Sequence, residues 1–270
     1  MLTNLDKVLE EMPAVSSAAL KLLEIINNPR TSREDVMKLV SVDEVLLASV
    51  FKYANSAAFG GYKRYESLKE IIEALGFNNI REIAVMVAAR SVIKNNDLWL
   101  YSVFLGISAQ KLAKQLDKDI KYTEEIYMAS LLSSYGKLII NHFYPDEYSK
   151  IQKEEDFRKQ LQIEERIFGI NHLQLSANVL YAWGLPGSVI SIIRNDQLTN
   201  PDPVIAQQNE IMDLARRLTY MEESDEYEIE DLLYDPEIRP GLIEHGIDQL
   251  KISPQFLEEC FRDANEFTSF

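Results

Sequence analysis

The stretch Ala129–Ile140, ASLLSSYGKLII, brings three hydroxyls and a lysine to helical spacing. Ser130, Ser133, Ser134 and Lys137 fall at i, i+3, i+4 and i+7, one face of a helix, while Leu131, Leu132, Tyr135, Leu138 and Ile139 take the other. Such a stripe is solvated surface, a close helix–helix contact, or the floor of a site. A lysine at its end suits a bound phosphate or carboxylate, and equally a surface ion pair. Spacing alone does not choose among these.

Other chemistry-bearing groups are sparse. A hydrolytic metal ion needs several imidazoles, carboxylates or thiolates converging on it. The three histidines, His142, His172 and His245, are far apart in the chain and none stands at i+3 or i+4 from another. His172 precedes Ser176 and Leu180 at helical spacing, so it is a core histidine unless distant carboxylates converge on it. Gly60-Gly61 is a bare pair without the lysine and hydroxyl of a phosphate loop, and Gly-x-Ser-x-Gly is absent. Cys260 lies among acids, which oppose thiolate formation. No nucleophile–base pair is recognisable. One surface feature stands apart: the segment Asn55–Arg64 groups Phe59, Gly60, Gly61 and Tyr62 beside Lys63 and Arg64. It is a candidate partner surface, or a turn whose Phe59 plugs the core.

The elements that must position these residues read as helices. Capping boxes, in which a polar side chain and a Glu three residues later serve free N–H groups, are predicted at Thr31/Glu34, Ser41/Glu44, Ser67/Glu70 and Asn79/Glu82. Connections such as NNPR, FGGYKR and GFN are short, and no alternating strand pairs flank hairpin turns. Residues 102–116 form an amphipathic helix, Thr123 is expected to cap the helix bearing the opening stretch, and 145–160 read as a charged surface helix. Residues 161–181 are helical with an interruption at FGINH, and Trp183-Gly-Leu-Pro186 ends that run. Asn200-Pro-Asp-Pro203 is a loop, and residues 222–237, with nine acids and no base, form an acidic connector. The fold class expected is all-α.

Composition narrows function further. The chain of 270 residues is 46% hydrophobic, enough to fill a core. Its 28 Lys+Arg against 43 Asp+Glu give a net charge of −15, which repels nucleic acid and anionic membranes. No apolar run is long enough for a membrane helix. The acidic N-terminal stretch MLTNLDKVLEEMP is unlike a secretory signal, and the single Cys260 fits a reducing compartment, so a cytoplasmic protein is expected.

Three collinear stretches carry a resemblance. Met12-Pro-Ala-Val15 leads through KLLEIINNP to FKYANSAAFG, with Asn55-Ser56 and Phe59-Gly60 most distinctive. Ser67-Leu-x-Glu70-Ile-Ile-x-x-Leu-Gly76 follows, with Ile80-Arg81. Then come Ser130-Leu-Leu, Gly136-Lys137-Leu, Glu164, Phe168-Gly169-x-x-His172 and Trp183-Gly-Leu-Pro186. In this order they resemble the HDOD domain, a bacterial helical relative of the HD and HD-GYP metal-dependent phosphohydrolases. The match runs from about residue 5 to 200.

The resemblance implies a multi-helix HD-like domain over residues 1–200, with an N-terminal bundle (about 1–90) and an HD-like core (about 91–200). A C-terminal helical extension occupies 201–270. It also implies that Ser133 and Ser134 stand where the HD enzymes carry their metal-binding His-Asp pair, that Tyr101 aligns near an upstream ligand histidine, and that Asp196, within Asn195-Asp196-Gln197, falls near a later pair. His172 and Lys137 are retained. Serine hydroxyls are neutral and poor ligands for Fe, Mn or Zn, so the metal site is expected to be degenerate, with no cofactor. The function implied is non-catalytic signal transduction through a signalling protein or a small ligand. The alternative is a phosphohydrolase or phosphodiesterase with an atypical metal shell.

Overall fold

The computed structural model describes residues 8–10, 17–26, 28, 30–55, 64–92, 96–154, 156–194, 202–221, 229–236 and 238–268. These are helical or connecting, with no strand among them. The all-α expectation therefore holds. No helix of the described residues is long and apolar enough to cross a membrane.

The chain forms two compact units. One comprises the described residues within Leu5–Asn96 together with Ala182–Gly184. In it α1 (Ser17–Ile26), α2 (Arg33–Ser41) and α3 (Glu44–Ala54) gather around the long α4 (Leu68–Val92), with Leu22, Val36, Val40, Leu46, Val50, Ile71 and Ile72 buried. Gly76 interrupts α4 with a left-handed φ of 70°, a conformation that needs a residue without a Cβ. Ser67 caps α4 as expected, accepting from the Glu70 N–H, and Glu70 reaches back to the Glu66 N–H. Two boxes move by a residue or two. Ser32 with Asp35, not Thr31 with Glu34, forms the box of α2, and Asp43, not Ser41, caps α3. Asn79 is no cap: its amide donates to the Leu75 carbonyl.

The other unit comprises the described residues of Asp97–Tyr181 and Leu185–Phe270. Its helices are α5 (Asn96–Lys114), α6 (Ile120–Ser133), α7 (Tyr135–Phe143), α8 (Pro145–Ile151), α9 (Phe157–Phe168), α10 (His172–Ala182), α11 (Gly187–Arg194), α12 (Pro203–Met221), α13 (Arg239–Glu244) and α14 (Pro254–Thr268), with a 3-10 turn at Ile229–Tyr234. Asp119 caps α6, and Thr123, expected there, is a buried residue inside the helix. The expected 145–160 helix is two helices, because Asp156 starts α9 afresh by accepting from the Lys159 N–H.

C-terminal helices pack into this same unit. Phe104 of α5 stacks on Phe261 of α14 at 4.1 Å, and Lys111 pairs with Asp263 at 2.8 Å. Tyr122 donates to Gln207 of α12. Of the acidic segment, 222–228 and 237 lie outside the described residues; Leu233 is buried.

Candidate functional site

The opening stretch is not one helix. It breaks at Ser134, where α6 ends and α7 begins. No solvated face exists there: Ser130, Ser133, Ser134 and Lys137 are all buried. Of the three readings of the stripe, solvated surface is excluded.

Close helix contact is decided by Gly136 and Ser176. A Cβ at Gly136 would stand 2.0 Å from the His172 carbonyl oxygen and 2.8 Å from its C and Cα. Only glycine lets the start of α10 approach α7 this closely. Ser134 offers α7 no side-chain cap, so the Gly136 N–H donates instead to Ser176 Oγ at 2.6 Å. That hydroxyl in turn is 2.8 Å from both the Ser133 and His172 carbonyls, its two acceptors. Small residues thus knot α6, α7 and α10 together. Ser133 Oγ donates to the Ser130 carbonyl at 2.8 Å, which turns it back into its own helix.

The knot delivers His172 beside Lys137. Along α9, Gln160, Glu164 and Phe168 repeat every four residues as its buried stripe. Gly169, with φ of 78°, ends α9, and Asn171 with Gln174 forms a capping box that starts α10. Across this corner Glu164 Oε2 accepts from the His172 backbone N–H at 2.8 Å and lies 2.7 Å from Nδ1. Burial pushes the His172 imidazole down to about 4, with the Lys137 and Arg216 charges adding to burial and Glu164 opposing it. His172 is therefore neutral at pH 7, with its Nδ1–H donating to the Glu164 carboxylate. Burial opposes the charge on Glu164, but contact with His172 and the Lys137 charge outweigh it, so its carboxyl lies below the usual range.

Around the dyad lies a cationic, aromatic seam. Lys137 Nζ stands 5.3 Å from the Tyr101 ring centroid and 5.8 Å from that of Phe157. Phe157 meets His172 edge-on at 5.6 Å. Arg216, from α12, lies over the same Phe157 ring at 4.4 Å and pairs with Asp213. Lys137 and Arg216 are 6% and 3% exposed.

Tyr101, Ser133, Ser134, Lys137 and His172 thus belong to one unit, and contacts join Tyr101 to Lys137 and Ser133 to the Ser176 knot. Asp196 lies outside the described residues, as do Phe59, Tyr62 and Lys63. Asn55 is half-buried and engaged: it accepts from the Tyr65 N–H at 2.7 Å and donates to the Phe51 carbonyl at 2.9 Å. Arg64 is exposed. Burial, more than the neighbouring acids, pushes the Cys260 thiol up to about 11. Sequence reasoning missed Arg216, Phe157 and the Glu164–His172 pairing.

A resident metal ion fits these residues poorly. Ser133 is turned onto a carbonyl and a lysine and an arginine stand nearby, while the Glu164 contact at Nδ1 leaves only Nε2 of His172 to offer an ion. Among the described residues no group of three His, Cys, Asp or Glu side chains is placed to hold a metal.

The HDOD domain family model matches residues 12–198. The chain belongs to the HDOD domain family. An uncharacterised protein of Treponema pallidum (strain Nichols) is 26% identical over 194 residues, 69% of this chain and 37% of that relative. The chain therefore spans little more than a third of the length of this curated relative. A candidate phosphohydrolase of Shewanella amazonensis SB2B has a similar structure, with a TM-score of 0.71, 20% identity, and coverage of 98% of this chain and 96% of that one. A candidate signal-transduction protein of Marinobacter aquaeolei VT8 gives a TM-score of 0.62 at 20% identity, covering 95% of this chain and 60% of that one. At such identities the likeness shows a shared helical fold alone.

Proposed function

We propose that this HDOD chain is a non-catalytic regulatory module of bacterial signalling, cytoplasmic, acting by binding a protein or a small ligand. One observation carries the reading. Where the resemblance to HD enzymes puts a metal-binding His-Asp pair, this chain has two buried serines, one of them hydrogen-bonded into its own helix. The retained imidazole, with Nδ1 on Glu164, has only Nε2 to offer, and a single nitrogen does not hold a hydrolytic ion. A neutral hydroxyl lacks the charge that would hold a divalent ion and lower the pKa of its water. The Glu164–His172 pair then acts as a brace for the α9–α10 corner. The segment from Asn55 to Arg64 is the proposed protein-binding surface, of which the described residues are Asn55, bonded to Tyr65, and the exposed Arg64.

The test is turnover. Purified protein supplied with Fe, Mn or Zn is assayed against phosphomonoesters and phosphodiesters, with His172→Ala alongside. No hydrolysis above the His172→Ala background is expected. Metal-dependent turnover abolished by His172→Ala would instead establish the phosphohydrolase.

A further inference from the structure

We propose that Lys137 and Arg216 form a binding site for a small oxyanion of the phosphate or carboxylate class, completed by helix α12. The proposal rests on the metal-free reading of the seam above. It adds a ligand class and a residue, Arg216, that lies beyond the 12–198 family match.

Two cations are buried here with donors left over. Lys137 is 6% exposed and has no hydrogen-bond acceptor or ion-pair partner among the described residues. Arg216 is 3% exposed; Nη1 binds Asp213, while Nη2 is buried without an acceptor. An ammonium carries three donors and a guanidinium five. Contact with the faces of Tyr101 and Phe157 eases the charge but accepts no N–H hydrogen bond in line. Burying cationic donors without acceptors is strongly disfavoured, so Lys137, with no acceptor among the described residues, and the orphaned Nη2 of Arg216 point to a missing acceptor.

Among the described residues, local anions do not fill that role. Glu164 Oε2 is occupied by the two N–H groups of His172. Asp213 is 39% exposed at its side chain, so water screens it, and it serves the other guanidinium nitrogen. Lys137 Nζ and Arg216 Cζ lie 5.8 and 4.4 Å from one ring centroid, so they are at most about 10 Å apart, and one anion reaches both where their free donors turn to the same side of the ring. A tetrahedral oxyanion bridges cationic nitrogens up to about 8 Å apart, given N–O contacts of about 2.8 Å. Glu164 Oε1 is buried and lacks a donor. A ligand that also carries one hydroxyl, as monohydrogen phosphate does, offers that donor together with its acceptor oxygens.

The experiment titrates inorganic phosphate, and separately acetate, into the full chain at constant ionic strength, read by calorimetry and by 31P line broadening for phosphate. Lys137→Met and Arg216→Gln are compared with Lys121→Met, a change at an exposed lysine. Saturable binding is expected, weakened about tenfold or more in either folded seam variant and unchanged in Lys121→Met. Phosphate binding without acetate binding assigns the tetrahedral class; the reverse assigns the carboxylate class. If neither seam variant folds, the wild-type titration still decides. No saturable binding of either anion up to about 10 mM, or binding that folded Lys137→Met and Arg216→Gln both retain, overturns the proposal. That failure leaves metal content and turnover untouched, whereas metal-dependent turnover would overturn the non-catalytic reading whatever phosphate does.

Discussion

His172 gives this fold a stability that depends on pH in a defined direction. Its imidazole is 1% exposed and held neutral, with a folded value of about 4. In the unfolded chain the same ring titrates near 6.5. Between these values the unfolded state binds the proton and the folded state does not, so stability falls as pH falls. At pH 5 the loss from this residue is about 2 kcal/mol, reaching about 3 kcal/mol near pH 4. Among the described residues the charged groups facing the ring are Glu164 from α9, Lys137 from α7 and Arg216 from α12; of these Glu164 alone favours the imidazolium. The carboxyl of Glu164, held below its usual range, begins to lose its own contribution only below the ordinary glutamate value of about 4.3, at the lower edge of the window, and has lost it once the pH falls through its lowered value. Urea unfolding of the wild type and His172→Gln at pH 7 and pH 5 checks the claim. The wild type is expected to lose about 2 kcal/mol more than the variant over that interval, whatever stability the variant starts from. Parallel losses would refute a neutral buried ring. A wild type that gains on the variant as pH falls would mean an imidazolium–carboxylate pair instead.

Two further substitutions test the helix knot. Gly136→Ala drives a methyl into the His172 backbone, which cannot rotate aside, so a loss of about 3 kcal/mol is expected in urea unfolding, with α7 and α10 forced apart. Ser176→Ala removes the acceptor of the Gly136 N–H and is expected to cost about 2 kcal/mol; a neutral result would mean that water replaces the hydroxyl.

Local chemistry made much of this fold legible. The Ser67 cap of α4 depends on atoms a few residues apart, and the pattern around Gly169 marked the α9–α10 corner. Caps failed where two local solutions competed: Ser32/Asp35 beside Thr31/Glu34, and Asp119 four residues before Thr123. The break at Ser134 carries no proline or left-handed glycine. It depends on Gly136 meeting α10, a contact between residues far apart in sequence, so spacing read the segment as one continuous helix. The site divides the same way. Hydroxyls and the lysine were visible from their spacing, but Arg216 looks like any polar residue of an amphipathic helix. Its role arises only when α12 brings it over Phe157. Asn171 with Gln174 was a readable capping box, and with it the Glu164–His172 approach across the corner was within reach of the sequence.

The most direct test of the account is the metal content of the purified protein. The chain is produced with Fe, Mn and Zn available, purified without chelator, and its bound metal counted per chain by mass spectrometry. The account predicts well below one equivalent of each, unchanged by His172→Ala. Stoichiometric metal in the wild type that disappears from a folded His172→Ala variant would contradict it.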